Sequence, residues 1–168
     1  MGLLRNRDGG GPVHYQMREK LIAFGDDYWI EDSNGEKTYK VNGKALRIRD
    51  TWILEDRNGS EVAKIRERKL SVRDAIKIEC HGHEAIVKKK IVSVRDRFHI
   101  EFNGGDDLEA HGRITDHEYE IEQGGHKVAE VSKRWFRVRD TYGVEISPNV
   151  DPALILSITV AIDAMSHD

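Results

Sequence analysis

Apolar and polar residues alternate along most of this chain. Leu46, Ile48, Trp52 and Leu54 share one phase, while Arg47, Arg49, Thr51 and Glu55 take the other. Val92, Val94, Phe98, Ile100 and Phe102 repeat the pattern against Ser93, Arg95, Arg97, His99 and Glu101. Alternation with a period of two predicts strands with one face buried and the other in water. The apolar phase slips once, Ala63 and Ile65 being odd and Leu70 and Val72 even, which predicts a bulge or strand break just before Asp74.

The alternating stretches recur. Segments 44–55, 68–79, 90–101 and 134–145 are copies of one pattern, and 24–31 and 114–121 are degenerate copies. The marker aspartates Asp26, Asp50, Asp74, Asp96, Asp116 and Asp140 stand 24, 24, 22, 20 and 24 residues apart. A near-constant period of this size marks one supersecondary unit used repeatedly. Asn34-Gly35, Asn58-Gly59, His81-Gly82, Asn103-Gly104 and Gly124-Gly125 fall between the markers. Such pairs predict type I′ hairpin turns, whose two central residues both need φ > 0. Each unit then holds two strands, and the whole chain roughly twelve antiparallel ones.

One stretch breaks the alternation. Asp151 is a good N-cap, Pro152 suits the first helical position, and residues 153–162 are apolar on every side apart from Ser157 and Thr159. A helix of this kind is enclosed either by protein or by lipid. At roughly 14 residues, about 152–165, it is too short for a bilayer core. About eight strands are the most that side chains alone can fill, so a twelve-stranded barrel leaves a lumen. The predicted fold is all-β: a twelve-stranded antiparallel barrel enclosing its hydrophobic C-terminal helix.

Composition narrows the class. A length of 168 residues suits one domain with a sizeable core, read here as 14–168 behind a flexible, glycine-rich lead-in over 1–13. Charged residues make up 34% of the chain but the net charge is only -3, which argues against a nucleic-acid partner. The single Cys80 fits a reducing cytoplasm, and no apolar run has transmembrane length. At the N-terminus Gly2 invites a myristoylation reading, but Asn6 stands where that motif wants Ser or Thr.

The repeated Ile48-Arg49-Asp50-Thr51 and Val138-Arg139-Asp140-Thr141 units, the segment 116–122, and the closing Val131-Ser132-Lys133-Arg134-Trp135-Phe136 and Asp140-Thr141-Tyr142-Gly143-Val144 resemble the LURP-one-related family. That family belongs to the tubby C-terminal-like superfamily, with the phospholipid scramblases. The resemblance covers about residues 14–168 and implies the same barrel around a central helix. It implies little about activity: tubby domains bind phosphoinositides, scramblases are associated with calcium and lipid movement, and fold does not fix function.

Candidate chemistry is sparse. No nucleophile elbow, phosphate-binding glycine loop or His-Glu zinc motif is present, so no enzyme activity, catalytic residue or cofactor is expected. The repeated Arg-Asp pairs suggest headgroup-binding arginines, but a feature present in every unit more often serves the turn. Histidines 81, 83, 99, 117 and 126 show no spacing that selects a metal set. The loop carrying Asp106, Asp107 and Glu109 lacks the alternating oxygens of an EF-hand. What remains is basic. Arg68, Lys69, Lys88, Lys89, Lys90, Arg95, Arg97, Lys133 and Arg134 are the candidate patch for anionic phospholipid headgroups, with Lys88-Lys89-Lys90 as its nucleus. Two readings follow: a non-enzymatic binding or scaffold module at a membrane surface, or a protein-interaction module without lipid affinity.

Overall fold

The alternation resolves into twelve strands in the computed structural model, which describes residues 11–18, 27–43, 51–69, 74–92, 95–136 and 140–166. They are β1 (Val13–Arg18), β2 (Tyr28–Asp32), β3 (Lys37–Asn42), β4 (Thr51–Asp56), β5 (Glu61–Lys69) and β6 (Asp74–Cys80). There follow β7 (His83–Val92), β8 (Arg95–Phe102), β9 (Leu108–Arg113), β10 (Glu118–Gln123), β11 (His126–Ser132) and β12 (Thr141–Ile146). Each strand pairs antiparallel with its sequence neighbours, and β1 pairs with β12 through Tyr15 and Val144, closing the sheet into a barrel. Full closure leaves no sheet edge exposed.

The turns follow local chemistry. His81 (φ 47°) with Gly82 (φ 78°), and Gly124 (φ 57°) with Gly125 (φ 84°), have the two positive φ values of the expected type I′ turn. Asn34-Gly35 and Asn58-Gly59 differ. Only Gly35 (φ 77°) and Gly59 (φ 83°) are left-handed there, each closing a three-residue loop. Asp32 Oδ1 accepts the N–H groups of Asn34 and Glu36 at 2.9 and 3.0 Å, and Asp56 Oδ1 does the same for Asn58 and Ser60. An aspartate that opens the loop and takes its free donors favours the longer turn. Asn103-Gly104 likewise opens a longer loop before β9. The predicted phase slip before Asp74, with Leu70 and Val72, and the markers Asp26 and Asp50 lie outside the described residues.

Inward positions form the core: Trp52, Leu54, Ile65, Ile78, Val87, Phe98, Ile100, Ile121 and Val144 are all buried. Into this lumen runs α1 (Pro152–Ser166), buried on every side from Ala153 to Met165. Asp151 caps it, its Oδ1 accepting the Ala153 N–H at 3.0 Å. Ser157 and Thr159 donate to the carbonyls of Ala153 and Ile155 at 2.6 and 2.9 Å, so their hydroxyls enter the apolar lumen already satisfied. The expected barrel, cap and central helix are all present.

A candidate anion-binding surface

The barrel sorts the basic residues by strand register. Strands β5, β6, β7 and β8 are consecutive, so Arg68 lies opposite Ala75, Ala75 opposite Lys88, and Lys88 opposite His99. One step along, toward the turns, Arg66 lies opposite Lys77; one step the other way, Lys90 lies opposite Arg97. Residues two apart on a strand share a face. Arg66, Arg68, Lys77, Lys88, Lys90 and Arg97 therefore form one band on the outer wall.

The expected patch is thus partly assembled. Lys88 and Lys90 join Arg68 and Arg97, and the fold adds Arg66 and Lys77, which the sequence pattern did not single out. Lys89 is on the opposite phase, in register with buried Phe98, and its Nζ lies 3.8 Å from Asp96. A run of three lysines in a strand necessarily splits this way. Lys69 and Arg95 are at the ends of β5 and β8, in register with Asp74 and Val92. Lys133 and Arg134 stand apart, in a short 3₁₀ turn (Lys133–Trp135) after β11, with β9 and β10 between β8 and that strand. Their duties are local: Arg134 pairs with Glu130 at 2.8 Å and lies over the Trp135 ring, and the Lys133 N–H donates to Glu118 at 3.1 Å.

Carboxylates flank the lysines of the band. Lys88 meets Glu101 at 2.7 Å, Lys90 meets Glu109 at 3.4 Å, and Lys77 meets Glu84 and Glu79 at 3.0 and 3.3 Å. These contacts are mutual in their effect on ionisation. The hydrogen bonds that the Lys77 ammonium donates to Glu84 and Glu79 push its pKa above its ordinary value. Burial raises that of Glu109, but hydrogen bonds and charge from Lys90 and His99 outweigh it and leave it lowered. Arg66, Arg68 and Arg97 have no ion pair among the described residues. Exposed ion pairs of this kind are weak, so they hold these lysines only loosely.

The far side of the barrel has the opposite sign. Glu120 lies opposite Glu130, and Glu130 opposite Glu145, with Lys127 bridging the first two at 4.0 and 3.2 Å. The acidic loop offers no open cage: Asp107 accepts from the Phe102 N–H at 3.0 Å and lies 3.2 Å from His99, while Glu109 is engaged by Lys90. Among the described residues no helix is long and apolar enough to cross a membrane.

Comparison with known proteins agrees with this architecture. The family model for LURP-one-related proteins matches residues 13–163. A solved X-ray structure of a protein from Arabidopsis thaliana superposes with a TM-score of 0.62 at 18% identity, covering 93% of this chain and 92% of that one. At that identity the likeness is one of fold. No curated protein matches the sequence.

Proposed function

The chain belongs to the LURP-one-related family, and from that premise we propose that it is a non-enzymatic binding module that takes anionic lipid headgroups on the outer face of β5–β8. One observation carries this reading: like charges are directly opposed, Arg66 to Lys77 and Lys90 to Arg97. Such pairs destabilise a sheet by roughly 0.2–1 kcal/mol each, and a bound polyanion turns that repulsion into attraction. The resemblance to the tubby C-terminal-like superfamily supports phosphoinositides as the headgroup class. The filled lumen supports a role for the surface over chemistry in an interior cavity. The membrane face it meets is the cytoplasmic leaflet, whose anionic lipids attract basic segments.

Sedimentation with neutral vesicles, and with vesicles containing a phosphoinositide, tests the proposal at low and at physiological salt. Binding is expected only with the anionic lipid, weakening as salt screens the exposed charges. Arg68→Ala, Lys88→Ala and Arg97→Ala together are expected to abolish it, and Lys133→Ala with Arg134→Ala to leave it unchanged. Absence of binding at either salt discards the lipid reading in favour of a protein partner.

A further inference from the structure

Cys80, His81 and Asp151 come from segments 70 residues apart and meet at the turn end of the barrel. Cys80 ends β6 with its side chain buried, and His81 follows in the left-handed position of the β6–β7 turn. Asp151 divides its carboxylate: Oδ1 caps α1, and Oδ2 lies 2.6 Å from His81 Nδ1. The Cys80 sulfur is 3.8 Å from both that nitrogen and that oxygen.

Two readings of this cluster can be separated by geometry. A nucleophilic triad needs the thiol on one ring nitrogen of histidine and the carboxylate on the other. Here both address Nδ1, so His81 has no relay to perform. A metal site needs the opposite, three donor atoms converging on one point, and Sγ, Nδ1 and Oδ2 all lie within 4.8 Å of one another. A tetrahedral ion with sulfur at about 2.3 Å and nitrogen or oxygen at about 2.0 Å holds its ligand atoms roughly 3.3–3.6 Å apart. The two distances to sulfur are already close to that. Only the gap between Nδ1 and Oδ2 has to open, and the His81 side chain, 51% exposed, is free to turn. A cleft lined by Val62, Lys64, Glu79 and His83 as well as Cys80 and His81 runs beside two of the three donors.

We propose that Cys80, His81 and Asp151 bind a thiophilic divalent cation of the zinc class, stapling the β6–β7 turn to the first turn of the central helix. The sulfur–metal bond forms as the thiol proton leaves to solvent. The Nδ1 proton that His81 shares with Asp151 is given up in exchange for one at Nε2, so that Nδ1 has a lone pair for the metal. Thiolate and carboxylate then balance the two positive charges, with neutral imidazole as third ligand. A sulfur donor disfavours calcium and magnesium. The sequence could not select this set, because His81 and Asp151 become neighbours only when the helix is threaded into the barrel.

The test is titration of the reduced full-length chain with Co2+, read by absorption, followed by displacement with Zn2+. One equivalent of cobalt is expected to give a thiolate-to-metal charge-transfer band and the intense visible bands of tetrahedral geometry. Zn2+ is expected to bleach both and to raise the melting temperature, since a ligand specific to the folded state stabilises it. His81→Asn keeps a good left-handed turn residue and Asp151→Asn keeps a good helix cap, so both variants are expected to fold. Each is expected to lose the cobalt spectrum and the Zn2+ shift, as is Cys80→Ala. Absence of the charge-transfer band in the native chain overturns the proposal. So does a Zn2+ shift that persists in His81→Asn and vanishes in His111→Ala, because His111, Glu120 and Glu122 form the other converging set among the described residues. Neither readout depends on vesicle binding.

Discussion

Asp163 is a carboxylate in the last turn of a helix that water does not reach. It is 5% exposed, accepts a hydrogen bond from the Tyr142 hydroxyl, and lies 3.2 Å from His117 Nε2. His117 stacks on Tyr142 with ring centroids 4.2 Å apart, so the residue that ends the 3₁₀ turn Ile114–Asp116, a side chain of β12 and one of α1 lock together. Burial first, and then the Asp163 charge, push the pKa values of Tyr28, Tyr119 and Tyr142 upward. Burial likewise raises the Tyr39 hydroxyl to about 12 and, with help from Asp151, the Cys80 thiol to about 12. An unfolded tyrosine loses its proton near pH 10, and an unfolded cysteine near pH 9, while the folded groups keep theirs. Over the window from about 9 to 12 the unfolded chain therefore binds fewer protons, and stability falls as pH rises. Urea midpoints are expected to hold level up to about pH 8 and to drop by about pH 11. Tyr39→Phe and Cys80→Ala each remove part of the drop, and a midpoint unchanged across the window contradicts the burial argument.

At the scale of elements, the barrel and helix depend on each other. Every side chain of α1 from Ala153 to Met165 is enclosed, including Leu156, Ile158 and Ile162 at full burial. Leu156→Ala leaves a cavity at the axis and is expected to cost about 2–5 kcal/mol, read as a lower denaturation midpoint. Leu156→Asp places an unpaired charge where no partner or water can reach it, and is expected to leave no folded soluble protein. Recovery of that variant in soluble form, with the native melting temperature, contradicts a load of packing on this helix. The hairpins show the same dependence of element on residue. Asp32 and Asp56 convert an expected two-residue turn into a three-residue one, and the register shifts at Ile30/Glu31 and Leu54/Glu55 absorb the extra residue.

Among the described residues like charges meet across neighbouring strands, although the net charge of the chain is only -3. Arginine and lysine face each other across β5–β8, and glutamates face each other across β10–β12. On the proposed reading, an excess of base on β5–β8 and of acid on β10–β12 would orient the molecule in the field of an anionic surface. On that reading the arrangement also sets binding against stability. Arg97→Gln relieves the repulsion from Lys90 and is expected to stabilise the fold by roughly 0.2–1 kcal/mol while weakening vesicle binding. A variant that is destabilised and binds as before contradicts the assignment of Arg97 to the surface.

The sequence alone determined the strands, the period of the repeat, the number of units and the cap and span of the helix. Each rests on residues close together in the chain: alternation from Phe98 to Phe102, a glycine pair at a turn, Asp151 before Pro152. Closure followed because twelve strands need a filler and one segment has the character to be it. The candidate surface was legible only in part. Lys88 and Lys90 are two apart on one strand and share a face by local geometry, but their company with Arg66, Arg68, Lys77 and Arg97 depends on the register of four strands. For the same reason Lys133 and Arg134, similar in composition, stand on another part of the wall. The meeting of Cys80 and His81 with Asp151, and of Asp163 with His117 and Tyr142, was decided by tertiary structure alone. Periodicity fixes which face a side chain takes; which distant segment lies against that face is settled by closing the barrel and threading the helix through it.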